Sequence, residues 1–421
     1  MVRRRGKTEE PPQLADRPAT TRSAVEDLRG ASRLAIEATR AVTDVVEHMH
    51  RTIASGPQSL TGPLKRPAEL IASVSYGAVR GVTKLVGATI DQVLARLAPL
   101  LGQDTPGVER EAVLAALNGV LGDYLVDSAN PLAIEMRLRH GGQALALEPE
   151  ALRSTFPAAT GRLLVLVHGS SMNDLQWTRL GHDHGAALAR DVGVTPLYLH
   201  YNTGLHVSAN GRELTGLLER ALGAWPVPVE SLVLMGHSMG GLVARSACHA
   251  AELAGHHWRS KLEALVCLGT PHHGAPLERG GNWLETLLGV SRYSAPLARL
   301  GRLRSAGVTD LRFGAVLDEH WHGRDRFALG PDRRVAVPLP AGVKCYAIAG
   351  STAKGPGARR TPGDGLVPLD SALGRHARPE LTLDFPPDRQ WVSWSTGHVE
   401  LLSHPEVYAT LRGWLSFDSV K

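Results

Sequence analysis

Hydrophobic spacing divides the chain into a helical first third and an α/β remainder. Residues 1–22 are charged and Pro-rich and read as a disordered lead-in. From Val25 to Ile53, Leu28, Ala31, Ala35, Ala38, Val42, Val45 and Met49 recur at steps of three and four, a narrow apolar seam on one helix face. Gly56-Pro57 and Gly62-Pro63 end it. A second helical stretch runs from Pro67 to about Leu101 and a third from about Val108 to Leu125, so residues 23–127 form a helical N-terminal region. Such seams must be covered. The Ala-rich first seam favours packing against another helix or the rest of the chain, with peripheral contact to a membrane or lipid surface as the alternative.

From residue 128 the period shortens. Ile134–Arg139 and Ala144–Leu147 flank Gly141-Gly142 as a hairpin. Apolar strands follow at Arg162–Val167, Thr195–Tyr201, Leu232–Met235, Leu262–Leu268, Val343–Ala349 and Gln390–Trp394. Helical patterns separate several of them, from about Asn210 to Ala224 and after Gly240, and a last helix spans His404-Pro405 to Leu415. Strands alternating with helices predict an α/β fold, a mostly parallel sheet with helices on both faces. The rhythm stops over about 275–340, where Trp283, Leu284, Leu287, Leu288, Leu297, Leu300 and Leu303 cluster. A connection that long is expected to be a cap inserted between two strands.

Composition narrows the class without deciding it. A hydrophobic content of 43% and a charged content of 21% are those of an ordinary globular chain. The net charge of +5 is mildly basic, yet aromatics are only 5%, and no basic stripe interleaved with aromatics marks a nucleic-acid surface. Cys248, Cys267 and Cys345 are odd in number and sit in core-like contexts, which predicts reduced thiols. The basic N-terminus is not followed by an apolar run of the secretory kind, so the expected compartment is the cytoplasm, with a peripheral membrane location as the alternative. The pairs His182/His184, His256/His257, His272/His273 and His320/His322 do not converge with carboxylates or thiols at metal-ligand spacing, and neither a nucleotide fingerprint nor a phosphate loop follows any strand. No metal or cofactor is expected.

The chemistry concentrates at Gly236-His-Ser-Met-Gly240, where the Leu232–Met235 strand turns into a helix carrying Leu242 and Val243. The small residues on either side of Ser238 allow a sharp turn that lifts its Oγ from the sheet, and Met239 offers its N–H at a helix start. A serine in this setting expects an acid and then a histidine later in the chain. Asp364, between Gly363 and Gly365 after the Val343–Ala349 strand, is the favoured acid; Asp370 is the rival. Of the histidines beyond it, His398 follows the Gln390–Trp394 strand through Ser395-Thr396-Gly397, whereas His404 sits at a helix start and His376 in a basic loop. His168, His237 and His272 precede the acid and are expected to line or brace the site. An oxyanion is expected to be held by the amides of Met239 and Ser170.

His168-Gly169, Gly-His-Ser-Met-Gly-Gly, Gly269-Thr-Pro-His-His-Gly, Asp364-Gly-Leu-Val-Pro and His398-x-x-Leu-Leu together resemble the α/β-hydrolase superfamily. More narrowly, they resemble the bacterial esterase/lipase branch related to the GPI inositol-deacylase domain. The resemblance runs from Ile134 to about Leu415, within a domain spanning 128–421. It implies an α/β-hydrolase fold with an inserted cap and a serine hydrolase cleaving carboxylic esters of acyl or lipid-like character through a Ser238–Asp364–His398 triad. Acyl transfer or thioester hydrolysis by the same triad, and a non-enzymatic membrane-associated scaffold, are the alternatives.

Overall fold

The computed structural model describes residues 108–275, 305–325, 331–357 and 361–416. The lead-in at 1–22, the first two helical stretches and the leucine cluster around Trp283 lie outside these residues. Helix α1 (Val108–Asp127) leads into strands β1 (Arg137–His140) and β2 (Gln143–Ala144). Their turn places Gly141 and Gly142 at φ 55° and 78°, the left-handed pair that a two-residue hairpin of matching twist requires. Next come α2 (Pro149–Thr155), β3 (Arg162–Val167), α3 (His184–Val192), β4 (Thr195–His200), α4 (Val207–Gly223), β5 (Ser231–His237), α5 (Met239–Ala254) and β6 (Leu262–Leu268). After the connection that follows β6, which includes α6 (Ala306–Asp310), the chain continues with β7 (Lys344–Ser351), α7 (Leu369–Ala372), β8 (Gln390–Trp394) and α8 (Pro405–Leu415).

The strands form one sheet in the order β2-β1-β4-β3-β5-β6-β7-β8. Only the β1 pairings are antiparallel; β4, β3, β5, β6, β7 and β8 run parallel to one another. Successive side chains of a strand point to opposite faces, and each face has its own core. Leu163, Val165 and Val167 of β3 join Leu232 and Leu234 of β5 beneath α1, α4 and α5. Leu164, Leu166, Val233 and Met235 pack on the other face with Leu188 of α3 and Val407, Leu411 and Leu415 of α8. This two-sided burial explains why these strands read as continuous apolar runs rather than alternating ones. The three cysteines are free and buried, and burial pushes the Cys267 thiol up to about 12 and that of Cys345 up to about 11.

Helix α1 belongs to this core. Its Leu114, Leu117, Val120 and Leu125 are buried in the same cluster as β3 and β5. Asn118, fully buried, donates from Nδ2 to the carbonyls of Leu114 and Leu132 and accepts the Ile134 N–H, tying the helix to the approach to β1. The segment that resumes at residue 305 docks on α1 as well: Ser305 Oγ donates to the Gly119 carbonyl at 2.6 Å, and the Ala306 N–H donates to Asp123 at 2.9 Å. Farther along, Asp310 accepts from the Val207 N–H at 2.8 Å and pairs with His206 at 3.0 Å, while the Trp321 ring stacks on His206 at 3.7 Å. Among the described residues, no strand interrupts the β6–β7 connection and no helix is long and apolar enough to cross a membrane.

The chain steps from β3 to β4 on one side and returns across β3 to β5 on the other. That reversal opens a crevice at the carboxyl ends of β3 and β5, where ligands of such sheets bind. Val167 pairs with Gly236 and Leu268 with His237, so the loops after β3, β5 and β6 leave the sheet side by side.

Candidate active site

Ser238 stands between β5 and α5 with φ 54° and ψ −124°, a backbone state that costs a side-chain-bearing residue energy and persists only where its surroundings hold it. The glycines two positions away explain how the turn closes. A Cβ on Gly236 would overlap the backbone of Gly240 and Gly241, and one on Gly240 would overlap the carbonyl oxygen of Val167. Helix α5 therefore starts directly against the end of β3. Ser238 donates its N–H to the Leu268 carbonyl at 2.8 Å, which continues the parallel ladder through the turn. Met239, fully buried, is the first residue of α5, and the first amides of a helix have no intrahelical acceptor.

Asp364 and His398 lie on the loops after β7 and β8 and meet at 2.7 Å, Asp364 Oδ2 to His398 Nδ1, with both side chains almost wholly buried. The other carboxylate oxygen, Oδ1, accepts the N–H groups of Leu366 at 3.0 Å and Val367 at 2.8 Å. With its oxygens occupied in this way, an ionised Asp364 requires a proton on His398 Nδ1. The imidazole then carries its lone pair on Nε2, which is buried without a hydrogen-bond partner. The backbone of His398 is held too: its N–H donates to the Asp364 carbonyl at 3.0 Å, and its own carbonyl lies 3.1 Å from His237 Nε2.

The alternatives are elsewhere. Asp370 projects from α7 into solvent, its side chain 75% exposed, with Arg375 3.8 Å away. His404 caps α8 by accepting the Glu406 N–H, and His376 lies 3.9 Å from Asp332.

The loop after β3 closes the site from the opposite side. His168 donates from Nδ1 to the Gly169 carbonyl at 2.9 Å and stacks on Tyr201, whose hydroxyl donates to the His168 carbonyl at 2.8 Å. A side-chain carbon on Gly169 would lie 3.1 Å from the Cβ of Ser238, so the backbone of this loop passes over the serine turn. Ser170 is fully buried, and Ser171 adopts φ 59° with its N–H on Thr203 Oγ1 at 3.0 Å.

Buried neutral histidines surround this centre. Burial drives His168 down to about 3 and His184 down to about 4, and it drives His237 and His272 well below the usual imidazole range. The spacing of two pairs His184 with His182 in the sequence. In the fold, His182 Nε2 lies 2.8 Å from His184 Nδ1, and His184 Nε2 reaches the Leu401 carbonyl at 2.9 Å, three residues past His398. His272 accepts from the buried Arg245 guanidinium at 3.3 Å, and Arg245 also donates to the Val337 carbonyl at 2.8 Å. Among the described residues, no three His, Cys, Asp or Glu side chains converge as a metal site would require. A cavity of about 440 Å³ opens against the Asp364–His398 pair, walled also by Leu366, Val399, Arg179 and Lys354.

An eight-stranded, mostly parallel sheet with a serine turn after β5, a carboxylate after β7 and a histidine after β8 is the α/β-hydrolase fold. Residues 158–324 match the family model of the PGAP1-like alpha/beta domain. That stretch contains Ser238 and the first part of the connection after β6, while Asp364 and His398 lie beyond it. Among solved structures the chain is similar to the mature lipase BlEst2 of Bacillus licheniformis, with 18% identity over 61% of this chain and 92% of that one and a TM-score of 0.40. It is similar to the Staphylococcus hyicus lipase at 12% identity over 61% and 96% with a TM-score of 0.37. It is also similar to the Pyrococcus furiosus esterase Pf2001, at 14% identity over 61% and 81% with a TM-score of 0.35. No curated protein matches the chain.

Proposed function

We propose that the protein is a serine hydrolase of carboxylic esters. The observation that supports this most is the buried 2.7 Å contact between Asp364 Oδ2 and His398 Nδ1, which sets the tautomer of His398. Asp364, fixed by two backbone amides, accepts a hydrogen bond from His398 Nδ1 and so leaves the lone pair on Nε2, while Ser238 is held in a strained turn after β5. In this reading Ser238 Oγ attacks the ester carbonyl while His398 Nε2 takes its proton, and the carbonyl π-electrons move onto oxygen. The amides of Met239 and Ser170 receive that oxyanion. Collapse expels the alcohol, which takes the proton back from His398, and water repeats the sequence to free the acid. Asp364 keeps the imidazole in its working tautomer and stabilises the imidazolium without itself taking a proton.

The substrate in this reading is an ester with an acyl or lipid-like chain. A series of p-nitrophenyl esters from acetate to palmitate tests the assignment. The folded protein should release p-nitrophenol from at least part of the series, and Ser238→Ala should lower kcat by about 10⁶-fold. Undiminished turnover by Ser238→Ala would exclude this serine as the nucleophile.

A further inference from the structure

The peptide unit of His398 is gripped at both ends. Its N–H donates to the carbonyl of the acid residue, Asp364, at 3.0 Å. Its carbonyl lies 3.1 Å from Nε2 of His237, the residue immediately before Ser238. A carbonyl oxygen only accepts, so Nε2 of His237 carries the proton and Nδ1 is left with a lone pair. Nδ1 is buried without a hydrogen-bond partner and faces the loop after β3, where a carbon on Gly169 would lie 3.1 Å from it. The ring stands 4.7 Å from the His398 ring and meets Trp177 edge-on at 6.4 Å. One side chain, rooted at the last position of β5, thus spans from the oxyanion loop to the base loop.

We propose that His237 is a positioning residue: its Nε2–H fixes the backbone of the base relative to the serine one residue along the chain. The inference rests on the serine-hydrolase reading. Its physical content is that the nucleophile and the base come from strands separated by β6 and β7, so packing across the sheet alone leaves their separation loosely set. The Asp364 contact fixes the direction of the imidazole, and the His237 contact fixes where its backbone sits. Full burial beside a second imidazole keeps His237 uncharged, as a single donor of fixed sense requires. His184 acts on the same loop from α3, through the Leu401 carbonyl, and the two grips lie three residues apart.

The experiment is a comparison of kcat and KM for p-nitrophenyl butyrate among the full-length wild type, His237→Phe and His237→Gln. Phenylalanine keeps an aromatic ring and loses the donor; glutamine places an amide N–H near the position of Nε2. His237→Phe should lose about 10- to 100-fold in kcat with KM changed less than about twofold, because a base displaced by a fraction of an ångström impairs proton transfer more than binding. His237→Gln should recover most of that loss. Wild-type kcat in His237→Phe overturns the inference. Equal losses in Phe and Gln also overturn it, since ring packing rather than the N–H would then matter. Should His237→Phe not fold by circular dichroism, His237→Leu takes its place in the same comparison. Ser238→Ala runs alongside: undiminished turnover there defeats the hydrolase reading and this inference together, whereas a dead Ser238→Ala with an unimpaired His237→Phe defeats this inference alone.

Discussion

At the scale of single residues, the proposed activity turns on which nitrogen of His398 holds the proton. Two backbone amides converge on Asp364 Oδ1, so an asparagine at 364 would keep its carbonyl oxygen there and turn its amide toward His398. The imidazole would then have to accept at Nδ1 and carry its proton on Nε2, where it is useless as a base. Asp364→Asn is therefore expected to fold normally and to lose about 10⁴-fold in kcat. Asp370→Asn, on an exposed surface, should keep wild-type kinetics; the opposite outcome would exchange their roles. The Asp364–His398 contact was legible in the sequence because each residue follows a strand in the order that a serine turn dictates. His184 was not. Its partner is the Leu401 carbonyl, 217 positions away in the chain, and a spacing of two from His182 carries no trace of that contact.

At the scale of elements, helix α1 shows what covers an apolar seam. Its apolar spacing continues that of the stretches before it, so it was grouped with the N-terminal region. The fold buries it with β3 and β5 and stitches it to Leu132, Ile134 and Asn202 through side-chain bonds of Asn118 and Asn202. Periodicity reports that a helix has an apolar face and is silent about what covers it. A chain beginning at Ser128 would strip Leu114, Leu117, Val120 and Leu125 from that core. At about 1.5–3 kcal/mol for each such side chain, the loss exceeds about 6 kcal/mol, which reaches into the whole stability of a typical domain. Such a chain should be insoluble or lack a cooperative thermal transition. A soluble chain from Ser128, melting within a few degrees of the full protein, would show that α1 is dispensable. Strands β3 to β7 were legible to within two residues because both of their faces are buried, whereas β1 begins three residues after its expected start and β2 ends three residues before its expected end. Helix α3 was not anticipated, although it carries an Asp183 N-cap and a left-handed Gly193 at its end. Gly181, Gly185 and two histidines obscure its short apolar face.

At the scale of the whole molecule, the buried histidines make stability depend on pH. Burial pushes His168 down to about 3 and His184, His273 and His320 down to about 4, against about 6.5 for an unfolded chain. Between those values the unfolded chain binds more protons than the folded one. The stability these groups contribute is complete above about pH 6.5 and is lost as pH falls toward their folded values. Asp310, raised by burial, acts with the opposite sign. At pH 5, His168 and His184, both fully buried, should cost about 2 kcal/mol apiece. The urea midpoint should therefore drop clearly between pH 7 and pH 5, and less so in His184→Gln. A flat midpoint over that range would mean that these imidazoles are not held neutral. The claim on which the rest depends is that Ser238 is an activated nucleophile, and covalent labelling measures this most directly. Intact-mass spectrometry after treatment with a fluorophosphonate should find one adduct per chain, peptide mapping should place it on Ser238, and Ser238→Ala should acquire none. A folded wild type that takes up no adduct, or a Ser238→Ala protein labelled as fast as wild type, would contradict the account.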